Sequence, residues 1–182
     1  MITTLEYIQL KAFARQEGLL IGLLWIATFA CFIGSMETPD LQLGFIAGIT
    51  STPFVVYYRL KHFRDKILNG NISYRRAVFF VMTSMAYASV LLAGATFAYF
   101  YFLDNGAFIS TIQESMSTPE IQQSFKQMGF DGKMLDEQLK ALQQTRPIDF
   151  AFDMLWNGLT SSFMLSLLLG VFGKRTVKET IN

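Results

Sequence analysis

Four long stretches without a charged side chain decide what this chain can be. A helix needs roughly 18 or more such residues to cross a hydrocarbon core of about 30 Å at about 1.5 Å rise per residue. Gly18 to Met36 lies between Glu17 and Glu37, and Leu41 to Tyr58 between Asp40 and Arg59. Ala77 to Leu103 follows Arg76 and is long enough that it must tilt or protrude. Met154 to Gly173 ends at Lys174. A soluble core helix rarely stays apolar on every face for so long. The composition agrees, with 52% hydrophobic and 16% charged residues against about 25% charged in an ordinary soluble domain. The 182 residues therefore read as one all-α unit, an integral membrane four-helix bundle with spans at about 18–36, 41–58, 77–103 and 151–173. The first run is too long for the core of a secretory signal, follows a segment containing Glu6 and Glu17, and lacks a small-x-small cleavage site, so it reads as a retained span.

Lysine and arginine set the expected orientation. Lys11 and Arg15 precede the first span. Arg59, Lys61, Arg64, Lys66, Arg75 and Arg76 fall between the second and third, and Lys174, Arg175 and Lys178 follow the fourth. Together these are eleven of the fifteen basic residues. The Glu37-Thr38-Pro39-Asp40 hairpin has none, and the segment from Asp104 to Pro147 has only Lys126, Lys133, Lys140 and Arg146, diluted among acids. Both termini are thus expected in the cytoplasm. Tyr57 and Tyr58, Phe79 and Phe80, Tyr99 to Phe102 and Trp156 stand at the span ends, as interfacial anchors or as filling between helices.

Inside a membrane helices associate through close packing of small residues, since lipid tails are as apolar as leucine. Gly158, Ser162, Ser166 and Gly170 recur every fourth residue in the last span and form a seam whose hydroxyls could bond across it. Gly18 and Gly22, Gly44 and Gly48, Ser84 and Ala88, and Gly94 and Ala98 offer further pairs. Such pairs serve packing within the chain or a homodimer. Thr50-Ser51-Thr52-Pro53 predicts a bend in the second span, because Pro53 frees a carbonyl one turn back that nearby hydroxyls can satisfy.

The extracytoplasmic segment 104–147 is not patterned as disorder. Phe108, Ile109, Ile112 and Met116, then Ile121, Phe125 and Met128, then Met134, Leu135, Leu139 and Leu142 carry helical spacing. Thr118 and Pro119 restart a helix as N-cap and first position, and Gly129 to Gly132 break it. Short amphipathic helices lying on the membrane surface, or capping the bundle, are expected.

Chemistry is sparse. No charged residue falls at mid-membrane depth, where it would mark function. Asp149 and Asp153 share one face at the start of the fourth span, with Asn157 a turn deeper. They read as helix-start acids, or as a polar site for a cation or proton at an outer mouth. His62, the only histidine, joins an exposed basic patch that sets topology or meets anionic headgroups. Residues Met1 to Gln16 place Leu5, Ile8 and Ala12 on one side, a weak interfacial pattern. Cys31 alone makes no internal disulfide. No phosphate loop, catalytic constellation, metal set or nucleic-acid module is present, and no cofactor is called for.

The order of these features resembles the bacterial membrane family catalogued as domain of unknown function 4199. The carriers are Gly18 and Gly22 opening the first span, the acidic hairpin, Tyr57-Tyr58-Arg59, the run Asn69-Gly70-Asn71-Ile72-Ser73-Tyr74, the long third span, the helical segment after it, and the serine/glycine fourth span. The resemblance covers nearly the whole chain and implies a small multi-pass protein of the bacterial inner membrane. It assigns no catalytic residue. The function expected is a non-enzymatic accessory or scaffold subunit, with the bilayer and another membrane protein as partners. The alternatives are a small transporter or channel using Asp149 and Asp153, and a lipid-acting enzyme using the same pair.

Overall fold

The computed structural model describes residues 4–127 and 132–175. Seven α-helices run as α1 (Thr4–Gly34), α2 (Leu41–His62), α3 (Tyr74–Phe102), α4 (Ala107–Ser117), α5 (Pro119–Gln127), α6 (Gly132–Gln143) and α7 (Pro147–Gly173). Four of them, α1, α2, α3 and α7, are long and apolar enough to cross a membrane. The break expected at Gly129 to Gly132 falls largely outside the described residues.

The long helices outrun the uncharged stretches, α1, α2 and α3 at the basic end of the bundle and α7 at the hairpin end. α1 begins well before Gly18, and α2 passes Tyr58 and continues through a π-helical turn, Phe63–Ile67. Charge ends a hydrophobic run but not a helix, because Lys and Arg are good helix formers and their heads can reach water. Arg59, Lys61, Arg64 and Lys66 are therefore helical, and the connection to α3 shrinks to residues 68–73. There Asn69 and Gly70 take left-handed backbone (φ 50° and 82°), and the Gly70 N–H closes onto the Arg64 carbonyl at 2.9 Å. Ile72 and Arg175 exchange a pair of backbone bonds, which ties this turn to the end of α7.

α3 is the hub. Its most extensive contacts are with α7 and α1, while α2 lies mainly on α1 and touches α7 only sparingly. Small residues make both close approaches. A Cβ on Gly18 would strike the Ser84 carbonyl of α3, one on Gly22 the Leu91 side chain, and one on Gly158 the Ser89 side chain. Ser162, Ser166 and Gly170 are likewise buried, and Gly170 faces Val78 and Tyr74. The seam of α7 thus lies on α3 of the same chain. Gly48 packs on Thr28 and Gly44 faces Cys31, so α2 uses its glycines against α1. Gly94 meets open space.

The seam hydroxyls do not bond across it. Ser162 donates to the Gly158 carbonyl (2.6 Å), Ser166 to Phe163, and on α3 Ser84 to Phe80 and Ser89 to Met85. A serine in a helix can reach a carbonyl of its own preceding turn, which satisfies it without a partner helix. Its service here is small size. The hydroxyls before Pro53 likewise reach the turn before: Thr50 bonds Ile46, and Ser51 and Thr52 bond Gly48, leaving the Ile49 carbonyl freed by Pro53 without the hydroxyl expected for it.

Packing is uneven along the bundle axis. Leu10, Ala14, Leu60, Phe63, Ile72, Ala77 and Phe80 are all but inaccessible and lie at the end carrying the basic residues. Phe63 and Phe80 stack there at 4.2 Å with their planes 3° apart. The opposite, hairpin end is held by an aromatic cluster in which Phe100 stacks on Phe150 at 4.1 Å and Phe108 of α4 meets both rings edge-on. α4 so caps the hairpin end. Asp104 starts it, accepting from the Gly106 and Phe108 N–H groups. Pro119 is the first helical residue of α5, as expected, and the Thr118 hydroxyl before it donates back to Glu114.

Replacing Gly158 by leucine is expected to wedge α7 from α3 and lower unfolding stability by about 1–3 kcal/mol, the usual range for an overpacked contact. Gly94→Leu, facing open space, should be neutral or mildly stabilising. Thermal unfolding in detergent micelles measures both, and equal losses would contradict the assignment of the seam.

Candidate functional site

Three groups of residues could carry function: a polar knot at the basic end, the acids opening α7, and a cavity in the hairpin half of the bundle.

The knot starts from helix register. On α2 the buried positions Gly48, Thr52, Val56 and Leu60 recur every fourth residue, and Arg64 is the next in that row. On α1, Leu10, Ala14, Glu17, Gly18 and Ile21 share the inward stripe. Glu17 is only 4% exposed. Its carboxylate accepts from the guanidinium of Arg59 through both oxygens, Nη2 to Oε1 at 2.7 Å and Nε to Oε2 closer still. Counting from Gly34 places Glu17 about 26 Å down α1, near the edge of a hydrocarbon core. An acid does therefore lie within a long helix, but paired and at interfacial depth. Arg64 is also buried. It donates to both Asp65 oxygens (2.7 and 3.1 Å) and to the Gly173 carbonyl at 3.1 Å. That last bond supplies a donor to one of the orphan carbonyls at the C-terminus of α7. The basic patch expected around His62 accordingly splits. His62 and Lys61 are exposed, while Arg59 and Arg64 are structural. The fourfold register distinguishes Arg64, and Arg59 flanks that row three residues after Val56.

Asp149 is engaged by Arg146. Its carboxylate accepts from the Arg146 N–H (2.9 Å) and from the Arg146 guanidinium (2.9 and 3.0 Å), a capping box that opens α7 with Pro147 in its first turn. The hydrogen bonds that the Arg146 guanidinium donates to Asp149 raise its pKa above the ordinary value. Asp153 is exposed one turn on. Among the described residues no group of three or more His, Cys, Asp or Glu side chains could hold a metal ion.

Asn157 belongs elsewhere. It lines a cavity of about 420 Å³ backed by α1 and α3 and flanked by α2 and α7, which neither aspartate reaches. The wall is mostly apolar, with Trp25, Phe29, Phe32, Phe45 and Ile49 among its residues, and none of its side chains carries a charge. The Trp25 indole N–H donates to the Thr52 hydroxyl at 3.2 Å. Sequence reasoning makes Asn157 a third member of the aspartate row and does not find the cavity. No periodicity announces a space left between helices that meet at one end only.

The chain belongs to the family described as protein of unknown function (DUF4199), whose model matches residues 16–175. No curated protein and no solved structure matches it.

Arg59→Met should cost more stability than Glu17→Gln. The first strands a carboxylate that is 5% exposed, the second a guanidinium that keeps 26% exposure and can turn to water. Losing one partner of a fully buried pair costs about 3–5 kcal/mol, an upper bound for Arg59→Met, given the partial exposure of this pair. Chemical unfolding of the two variants checks the order; Glu17→Gln being the more damaging would reverse the assignment of the buried partner.

Proposed function

For this family member we propose a non-enzymatic accessory or scaffold role in a membrane complex of the bacterial inner membrane, with both termini and the basic end of the bundle in the cytoplasm. The observation that carries this reading is the α4–α6 segment. α5 and α6 pack chiefly on α4, and α4 on the aromatic cluster of the bundle. They still leave Ile121 at 37% and Met134 at 52% exposure. Amphipathic helices raised on a rigid cap, with apolar side chains outward, suit attachment to a second membrane protein better than turnover of a substrate. The asymmetry of basic residues supports the orientation. The use of Asp149 as a helix cap speaks against the aspartate pair as an ion site, the main support for a transporter.

Two measurements test this. A photo-crosslinking amino acid at Ile121 or Met134 should yield one reproducible membrane-protein adduct from native membranes, and the same probe at the lipid-facing Phe172 should not. Adducts with lipid alone at all three positions would refute the accessory reading. For orientation, single cysteines at His62 or Ser117 in a Cys31→Ser background report by an impermeant maleimide. Ser117→Cys should label in intact spheroplasts, and His62→Cys only after permeabilisation; the reverse pattern would invert the topology.

A further inference from the structure

The cavity differs from a lipid-facing groove in one respect. Asn157 and Ser161, one turn apart on α7, both line it. Neither forms a hydrogen bond with any described residue, whereas the seam hydroxyls of Ser162 and Ser166 are satisfied within α7. Asn157 is about 24 Å from the end of α7 and one turn past the exposed Asp153, so its carboxamide lies in the outer part of the hydrocarbon, and Ser161 lies about 6 Å deeper. An amide at that depth costs free energy unless something bonds to it. Across the cavity Pro53 leaves the carbonyl of Ile49, another wall residue, without its helical donor.

We propose that this cavity binds a neutral, membrane-dissolved molecule with a flat, carbonyl-bearing ring and a hydrocarbon tail, of the chemical type of an isoprenoid quinone. The wall has no charge to recognise a phosphate or an ammonium head. Aromatic faces of Trp25, Phe29 and Phe45 suit a planar ring. The Asn157 amide and Ser161 hydroxyl supply donors for ring carbonyls. The volume falls within the range of small-molecule sites, about 300–1,000 Å³, and is enough for the ring. The tail leaves between α2 and α7, which close on each other at the opposite end through Leu60, Arg64 and Gly173 and diverge here.

The two tryptophans give the test. Trp156 is 72% exposed on the outside of α7, so Trp156→Phe leaves Trp25 in the cavity wall as the only indole. Decylubiquinone, titrated into that variant in nanodiscs of defined phospholipid, should quench Trp25 saturably at one molecule per chain. Asn157→Leu, at an exposed position, should weaken binding roughly tenfold, the worth of one hydrogen bond, and Ser161→Val less. The unfolding temperatures should be unchanged, which separates loss of the site from loss of the fold. Quenching that rises linearly with quinone, or follows the same curve in Asn157→Leu, would overturn the proposal. So would equal quenching by phospholipids with brominated acyl chains that quinone fails to displace, since an ordinary lipid chain would then be the occupant.

Discussion

The backbone of α3 can be approached closely from two sides, and the rest of the bundle follows from that. Gly18 and Gly22 bring α1 against one face, and Gly158, Ser162, Ser166 and Gly170 bring α7 against another. In hydrocarbon there is no hydrophobic drive to pull helices together, so the dispersion attraction available at such close approaches decides which pairs form. Once both faces are taken, little of α3 remains for α2. That helix sits on α1 instead, through Gly48 against Thr28, and reaches α7 at one end only. The order α2–α1–α3–α7 is thus a consequence of where small residues lie, with the loops free to be short.

A helix held by one neighbour needs a second restraint, and the polar knot supplies it. Glu17 with Arg59 fixes α1 to α2 along their length, since a one-turn slip of about 5.4 Å would break both hydrogen bonds. Arg64 then joins α2 to the end of α7, and the Ile72–Arg175 bridge joins the α2–α3 turn to the same place. Three separate segments are pinned at the basic end. An equivalent at the hairpin end exists only in the aromatic cluster, which links α1, α3, α4 and α7 and includes α2 only through Phe45 on Phe32. The bundle is rigidly closed at one end and looser at the other.

Much of this was legible in the residue order. Uncharged length located the four long helices, because hydrocarbon thickness is a fixed ruler, and fourfold spacing located the α7 seam. Element ends were not legible: a membrane ruler reports where lipid stops, whereas α2 runs on through His62 into a π turn for reasons of helix propensity and packing. The pairing of Glu17 with Arg59 was within reach, since Glu17 stands on the inward stripe of α1 and Arg59 beside that of α2, but treating charged residues as loop markers hid it. The destination of Asp149 was ambiguous because the same carboxylate serves as a cap or as a ligand, and only the placement of Arg146 decides between them. The seam serines illustrate the same limit. Spacing predicts that a hydroxyl faces a neighbour, but not that it turns back to its own helix.

The cavity could not have been read from any one segment, because it is a difference between two geometries. α2 and α7 are drawn together by Leu60, Gly173 and Arg64, while in the hairpin half both line a cavity. Phe29, Phe32 and Phe45 line the space that remains there. A void of about 420 Å³ among such side chains would forfeit dispersion attraction if empty, and it borders a solvent of mobile chains that can enter it. It is therefore filled in a bilayer by something. Plain hydrocarbon would satisfy the rings but not the amide of Asn157. A polar side chain kept without a partner at that depth is the feature that gives the space a preference among the molecules dissolved around it.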